Sequence, residues 1–177
     1  MSYQTLVADP PWSFGDKLPG PGRGAEKHYS VLSIADLCAF ALPALAADAY
    51  LFMWRVASQV TEAYEVVRAW GFTPKTELVW LKRTATGKRW FGMGRTLRAE
   101  HETCIVAARG KPKPLNRSTR STFEAVAGRH SEKPEAFFDI VEALCPGPYV
   151  ELFARRRRPG WTCLGNELEY SPGSALL

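Results

Sequence analysis

The chain has 177 residues, 46% of them hydrophobic, which suits one domain with a full core, spanning residues 1–177, and is too short for two. It contains neither a signal-peptide pattern nor an apolar run of membrane-spanning length, so we expect a cytoplasmic protein. Four cysteines and three histidines are scattered without ligand spacing, which predicts free thiols and no metal site. The net charge of +5 suits a polyanionic partner without identifying one.

Apolar segments alternate between strand and helix patterns along the chain. Strands are predicted at 3–8, 50–54, 78–81, 103–108, 149–153 and 161–164, and helices at 33–43, 60–71 and 134–144. This alternation favours an α/β fold, a doubly wound, mostly parallel sheet with helices on both faces. Segments 13–31, 83–98 and 110–130 lack periodicity and are predicted to be loops.

The first predicted strand ends in Asp9-Pro10-Pro11-Trp12. The two prolines stop the strand and hold a rigid, extended turn at its carboxyl end, where ligands bind in such sheets. The turn offers carbonyl and carboxylate acceptors beside a flat indole, which suits a planar ring carrying an exocyclic amine. The alternative is a plain turn whose tryptophan packs in the core.

Basic residues cluster with aromatic residues in the predicted loop 83–98 and the strand before it. Such a mixture is typical of surfaces that hold phosphates and unstacked bases, so this stretch is predicted to bind nucleic acid. The candidate contacts are Trp80, Lys82, Lys88, Arg89, Arg95 and Arg98. A solvated loop and a homodimer interface built on Trp90 and Phe91 are the alternatives.

Polar residues in or beside three other predicted elements lie where a sheet of this kind binds a ligand. Lys133 precedes a helix, Glu151 interrupts an apolar strand, and Gly165-Asn166-Glu167 follows the last strand. Each has an ordinary explanation as a solvent-exposed residue or a turn, and each is also placed to reach a polar ligand.

Taken together, these motifs resemble the MT-A70 family of S-adenosylmethionine-dependent adenine N6-methyltransferases. The resemblance covers nearly the whole chain. It comprises Asp9-Pro10-Pro11-Trp12, Tyr29, Trp70-Gly71-Phe72, Val79-Trp80-Leu81-Lys82, Arg98-Ala99-Glu100-His101-Glu102, Arg109-Gly110-Lys111-Pro112, Ser131-Glu132-Lys133-Pro134, Glu151-Leu152-Phe153-Ala154-Arg155, Gly160-Trp161 and Gly165-Asn166-Glu167.

The resemblance implies a Rossmann-like methyltransferase domain with the permuted, beta-type motif order, and a role for each matching residue. Asp9 and the Pro10 carbonyl would accept hydrogen bonds from the adenine N6 amine in the rigid turn completed by Pro11. Trp12, Tyr29 and Trp80 would enclose the base. S-adenosylmethionine would be held by Asp9, Lys133, Glu151, Arg155, Asn166 and Glu167.

The chain departs from its eukaryotic relatives at two points. It begins two residues before the first strand, so we expect no N-terminal extension, as in the bacterial and phage branch of the family. Arg157 and Arg158 stand where those relatives carry a His-Asn pair at the ribose. The resemblance to the bacterial and phage branch, where DNA is the usual substrate, makes DNA the expected substrate, with RNA as the alternative, and a homodimer or a partner subunit is possible. A non-catalytic nucleic-acid-binding subunit is a further alternative, and a protein-amide or cytosine N4 methyltransferase is less favoured.

Overall fold

The computed structural model describes residues 2–13, 32–94, 96–128 and 132–165. The strands are β1 (Tyr3–Ala8), β2 (Leu45–Arg55), β3 (Thr73–Arg83), β4 (His101–Arg109), β5 (Thr122–Val126), β6 (Tyr149–Leu152) and β7 (Trp161–Leu164). The helices are α1 (Ile34–Cys38), α2 (Val60–Ala69) and α3 (Glu135–Leu144). Across these ranges, no helix is both long and apolar enough to cross a membrane.

Within the described residues the strands form one seven-stranded sheet in the order β5-β3-β4-β2-β1-β6-β7. β1 pairs in parallel with β2 and β6, while β4 runs antiparallel to both β2 and β3. The predicted doubly wound, mostly parallel, Rossmann-like α/β fold is confirmed, and the permuted motif order stays a prediction. Because β4 is reversed, its first residues lie at the edge where β1 ends, which we call the carboxyl edge.

Helices cover both faces of the sheet. Alternate residues of β1 point to opposite faces, so Leu6 and Ala8 belong to a core shared with α1 and α2. Val7 belongs to the other core, with Phe137 and Val141 of α3. By the same alternation Asp9 continues the row of Val7 and lies on the α3 face of the sheet.

The first helix begins as predicted and ends earlier. Ser33 and Asp36 form the expected capping box, but the helix stops at Cys38, whereas helical spacing in the sequence continued towards Pro43. The indole N–H of Trp70 donates to the Leu37 carbonyl at 2.7 Å, which satisfies one of the acceptors that a helix end leaves open. A tertiary contact therefore stabilises the earlier end.

The strand β5 lies inside the segment 110–130 that was predicted to be a loop, so that prediction is wrong for Thr122–Val126. β5 pairs with β3 in parallel at the end of the sheet, and its residues alternate between exposed and half-buried. A five-residue edge strand containing Glu124 carries too little apolar pattern to distinguish it from a loop.

Candidate active site

The Asp9-Pro10-Pro11-Trp12 turn is held by its own backbone and by neighbouring segments. The Trp12 N–H donates to the Pro10 carbonyl at 2.9 Å, and the Leu32 N–H donates to the Pro11 carbonyl at 3.1 Å. The Trp12 indole N–H donates to the Trp54 carbonyl at 3.0 Å, at the end of β2. These bonds fix the turn against the sheet and leave the half-buried Asp9 side chain at the carboxyl edge.

The Asp9 carboxylate is paired with Lys133, which precedes α3. Lys133 Nζ lies 2.7 Å from Asp9 Oδ2 and 3.3 Å from Glu102 Oε2, and its side chain is only 10% exposed. The same ammonium lies 5.1 Å from the centroid of the Trp54 ring. One buried cation therefore joins a carboxylate from the end of β1 to another from the start of β4.

A second lysine extends this arrangement. Lys82 of β3 forms an ion pair with Glu102, and its side chain is 19% exposed. We call Asp9, Lys133, Glu102 and Lys82 the charge network. The sequence predicts a nucleic-acid contact for Lys82, whereas the structure places its ammonium in this network.

Within the charge network, opposite charges outweigh the cost of burial. Burial disfavours the charge of Lys133, but the nearby Asp9 and Glu102 dominate, so the pKa of Lys133 is raised. Burial likewise acts to raise the pKa of Glu102, but Lys133 and Lys82 lower it overall. The ammonium of Lys133 and the carboxylate of Glu102 are both charged at neutral pH.

Glu151 of β6 is the other predicted carboxylate at this edge. It pairs in register with Val7 of β1 and with Cys163 of β7, so it lies between these two strands, one residue before the end of β6. Burial raises the pKa of Glu151 to about 7, assisted by the charge of Asp9 and opposed by Arg158. Arg155 follows the same strand and is half-buried.

The arginines after β6 bind the first turn of α3. Arg156 lies 3.1 Å from Glu132 and also pairs with Glu135, and its guanidinium donates to the Lys133 carbonyl at 3.4 Å. Arg158 pairs with Glu135 and lies 3.6 Å from the centroid of the Phe138 ring. Beside Lys133, a cavity of about 220 Å³ is lined by Val126, Gly128, Glu132, Pro134, Glu135 and Arg156.

The segment after β7 comes close to the end of β6. The Ala154 N–H donates to the Leu164 carbonyl at 3.0 Å. A Cβ at position 165 would lie 2.2 Å from the Ala154 carbonyl oxygen, so Gly165 is required for this close approach. The predicted site residues Tyr29, Arg95, Asn166 and Glu167 lie outside the described residues.

Two predicted stacking residues are core residues in this structure. Trp12 is 4% exposed, and Trp80 is 2% exposed with its indole N–H donating to the Ala125 carbonyl at 3.0 Å. The alternative interpretation of the Asp-Pro-Pro-Trp turn, a tryptophan packed in the core, describes Trp12. The stacking roles expected of Trp12 and Trp80 are not supported, because both rings are already covered by protein.

The aromatic residues of the loop 83–98 are exposed instead. The described residues 83–94 and 96–100 fold back on themselves, and we call this segment the hairpin 83–100. In it the Thr84 N–H donates to the Lys88 carbonyl at 2.8 Å and the Gly92 N–H donates to the Ala99 carbonyl at 3.0 Å. Trp90 and Phe91 are 37% and 70% exposed. Lys88, Arg89 and Arg98, all predicted to contact nucleic acid, lie exposed on the same hairpin.

Glu102 and Trp54 are site residues that the sequence did not identify. Glu102 ends the motif Arg98-Ala99-Glu100-His101-Glu102, and an acidic residue at the start of an apolar strand is the sequence signal for it. Its contact with Lys133 depends on β4 running antiparallel, which the apolar pattern does not reveal. Trp54 gave no signal that separates it from an ordinary core residue.

The fold and the site together define an α/β protein whose sheet presents a fixed Asp-Pro-Pro-Trp turn and a buried charge network at its carboxyl edge. Comparison with known proteins agrees with this description. The MT-A70 family model matches residues 3–167, and the chain belongs to that family.

Individual relatives are similar along 94% of this chain. The chain is 32% identical to the N(6)-adenosine-methyltransferase MT-A70-like protein of Drosophila melanogaster, covering 27% of that protein. It is 29% identical to the N(6)-adenosine-methyltransferase catalytic subunit METTL3 of Homo sapiens, covering 28% of it. It is 30% identical to the Type II methyltransferase M.MunI of a Mycoplasma species, covering 78% of it. The chain thus spans little more than a quarter of the two animal relatives and most of the bacterial one.

Proposed function

We propose that this protein transfers a methyl group from S-adenosylmethionine to the N6 amine of adenine in DNA. The observation that carries the proposal is the position of Asp9, a half-buried carboxylate on a rigid turn at the carboxyl edge of a family-typical sheet. Membership of the MT-A70 family and similarity to N(6)-adenosine-methyltransferases support the reaction.

The residues of the turn suit an amine substrate. Asp9 and the Pro10 carbonyl are acceptors, and although Pro10 already accepts from the Trp12 N–H, a carbonyl oxygen has a second lone pair. Hydrogen bonds from the N6 amine to fixed acceptors favour a pyramidal nitrogen, whose lone pair is then available for attack. Positioning and electrostatics would supply most of the rate.

The carboxyl edge also suits the proposed methyl donor, which carries an amino acid group and a ribose. S-adenosylmethionine, when bound, supplies an electrophilic methyl group. Lys133 is placed to hold a carboxylate, and Glu151 and Arg155 lie where β6 ends. The Nε atom of Arg158, which precedes β7, is buried without a hydrogen-bond partner among the described residues. Asn166 and Glu167 are proposed to contact the donor on the basis of the resemblance alone.

DNA is proposed over RNA because of the bacterial relative. The chain covers 78% of M.MunI, a Type II methyltransferase, and DNA is the usual substrate of the bacterial and phage branch of the family. RNA is the second candidate, supported by the adenosine-methylating relatives, and an unstacked adenine presents the same amine in both nucleic acids. Lys88, Arg89 and Arg98 of the hairpin are proposed to hold the phosphates, with Trp90 and Phe91 against the bases.

The decisive experiment compares Asp9→Ala and Asp9→Asn with the wild-type protein. We measure methyl transfer from labelled S-adenosylmethionine to single- and double-stranded DNA and to RNA oligonucleotides, and identify the product nucleoside by mass spectrometry. Both variants should keep a cooperative melting transition and lose at least about a thousandfold in kcat, because the acceptor acts mainly in the transition state. Near-normal turnover in Asp9→Ala would contradict the assignment. An inactive wild-type protein that still binds nucleic acid would instead favour a non-catalytic subunit.

A further inference from the structure

The charge network contains two residues, Glu102 and Lys82, to which the proposed reaction gives no role. Lys133 Nζ is shared between Asp9, at 2.7 Å, and Glu102, at 3.3 Å. Glu102 is in turn paired with Lys82. Four charges of alternating sign therefore run from the end of β1, through the start of α3 and β4, to β3.

The sheet register explains why these side chains meet. Trp80 of β3 lies directly opposite Glu102 of β4, so their side chains and that of Lys82, two residues later, share one face. This is the face covered by α3, since Trp80 packs in the core that includes Phe137. Glu102 and Lys82 therefore approach Lys133 from the sheet, while Lys133 descends from the segment before α3.

We propose that Glu102 and Lys82 are positioning residues, which hold the Lys133 ammonium beside Asp9 and connect it to the base of the hairpin 83–100. The inference rests on the proposed methyl transfer and names residues that this function does not otherwise use. Without Glu102, Asp9 is the nearest remaining counter-ion for the Lys133 ammonium, and the two groups pair more tightly. The Asp9 lone pairs are then less available to an amine. Glu102 therefore shares the Lys133 ammonium with Asp9 and keeps the Asp9 lone pairs accessible to the amine.

Lys82 has a second contact that links the network to the surface. Its ammonium lies 5.0 Å from the centroid of the buried Trp80 ring and 6.0 Å from that of the exposed Trp90 ring. The Trp90 N–H also donates to the Lys82 carbonyl at 3.1 Å. A nucleic acid that displaces Trp90 would thus act on Lys82, which pairs with Glu102. Through Glu102 and Lys133, Lys82 is connected to Asp9.

The test uses the full chain and the variants Glu102→Gln, Glu102→Asp, Lys82→Met and the double variant Lys82→Met/Glu102→Gln. Melting curves confirm folding, calorimetry gives the Kd for S-adenosylmethionine, and kcat is measured with an adenine-containing DNA oligonucleotide. Glu102→Gln should lower kcat about ten- to a hundredfold, and more than it raises the Kd for S-adenosylmethionine. Glu102→Asp, which keeps the charge, should recover part of that loss.

The double variant tests whether Lys82 acts through Glu102. If it does, Lys82→Met/Glu102→Gln has nearly the kcat of Glu102→Gln alone, whereas independent effects would multiply. Glu124→Gln is the matched control, because Glu124 pairs with Arg83 at 55% side-chain exposure on the neighbouring strand. It should leave kcat unchanged.

Three results would overturn the inference while leaving the proposed function standing. The first is a wild-type kcat in Glu102→Gln, and the second is an equal loss in Glu102→Gln and Glu124→Gln. A loss in Glu102→Gln that Glu102→Asp does not relieve at all would show that shape matters and charge does not, which also contradicts it. Absence of methyl transfer by the wild-type protein on DNA and RNA overturns the proposed function, and the inference falls with it.

Discussion

The charge network and the hairpin 83–100 use the same residue types in opposite ways. In the network, cations are paired and only 10–19% exposed, beside tryptophan rings that belong to the core, such as Trp54 and Trp80 at 2% exposure each. In the hairpin, Arg89 is 76% exposed and Trp90 and Phe91 present their rings to solvent. The difference teaches that lysine or arginine beside tryptophan marks either a built site or a binding surface, and burial decides which.

The largest expected effect separates the two kinds of tryptophan. Trp80→Ala should lower the free energy of unfolding by about 3–5 kcal/mol, because it empties a core position and removes a partly buried hydrogen bond. Trp90→Ala should cost about 1 kcal/mol or less and weaken binding of single-stranded DNA by about five- to a hundredfold, as expected for one stacked base. Urea denaturation and fluorescence anisotropy measure these quantities.

The comparison fails if the two variants behave alike. A Trp90→Ala variant as unstable as Trp80→Ala would show that the hairpin is part of the core. Unchanged DNA affinity in a stable Trp90→Ala variant would favour the alternative use of the hairpin, a seam between two copies of the chain, and sedimentation would then show a dimer.

The sequence predicts the features that leave a local pattern and does not predict those that depend on how distant segments pack. Continuous apolar strands such as β1 and β6 were found, because a buried strand and its carboxyl end leave a local pattern. Asp9 was found for the same reason. The pairing of Lys133 with Glu102 was not, since it depends on the reversed direction of β4 and joins residues that are distant in sequence. Nor could the sequence distinguish the buried ring of Trp80 from the exposed ring of Trp90.

The next effect concerns Glu151, whose pKa is raised by burial, whereas the lysines of the charge network lower the pKa of Glu102. Burial raises the pKa of Glu151 to about 7, above the value of about 4.3 in an unfolded chain. The folded protein therefore binds the proton more tightly, and the stability from this group is present below about pH 4 and lost as pH rises through about 7. Glu151→Gln should be more stable than wild type at about pH 8 by up to about 3 kcal/mol and equal to it at about pH 4.

Melting temperatures of both proteins from about pH 4 to about pH 9 measure this difference. Glu124→Gln is the control of opposite sign, because the hydrogen bond from Arg83 lowers the pKa of Glu124 and no gain at high pH is expected. Parallel stability curves for wild type and Glu151→Gln would show that Glu151 is solvated, and that the edge around it is open to water.

The smallest expected effect tests the hairpin as a phosphate-binding surface. Replacing Lys88 and Arg89 by alanine should weaken DNA binding about equally for all sequences, because phosphate contacts carry no sequence information. With single strands, the slope of log affinity against log salt should fall by about 0.7 for each phosphate that the variant no longer neutralises.

Replacing Lys75 and Lys111 by alanine is the matched control. These two lysines line a cleft of about 450 Å³ between the start of β3 and the end of β4, away from the carboxyl edge, and replacing them changes the net charge equally. Equal slopes in both double variants would show that net charge and not the hairpin attracts DNA, whereas a change confined to Lys88 and Arg89, with the Kd for S-adenosylmethionine unaltered, identifies the hairpin as the surface that holds the strand.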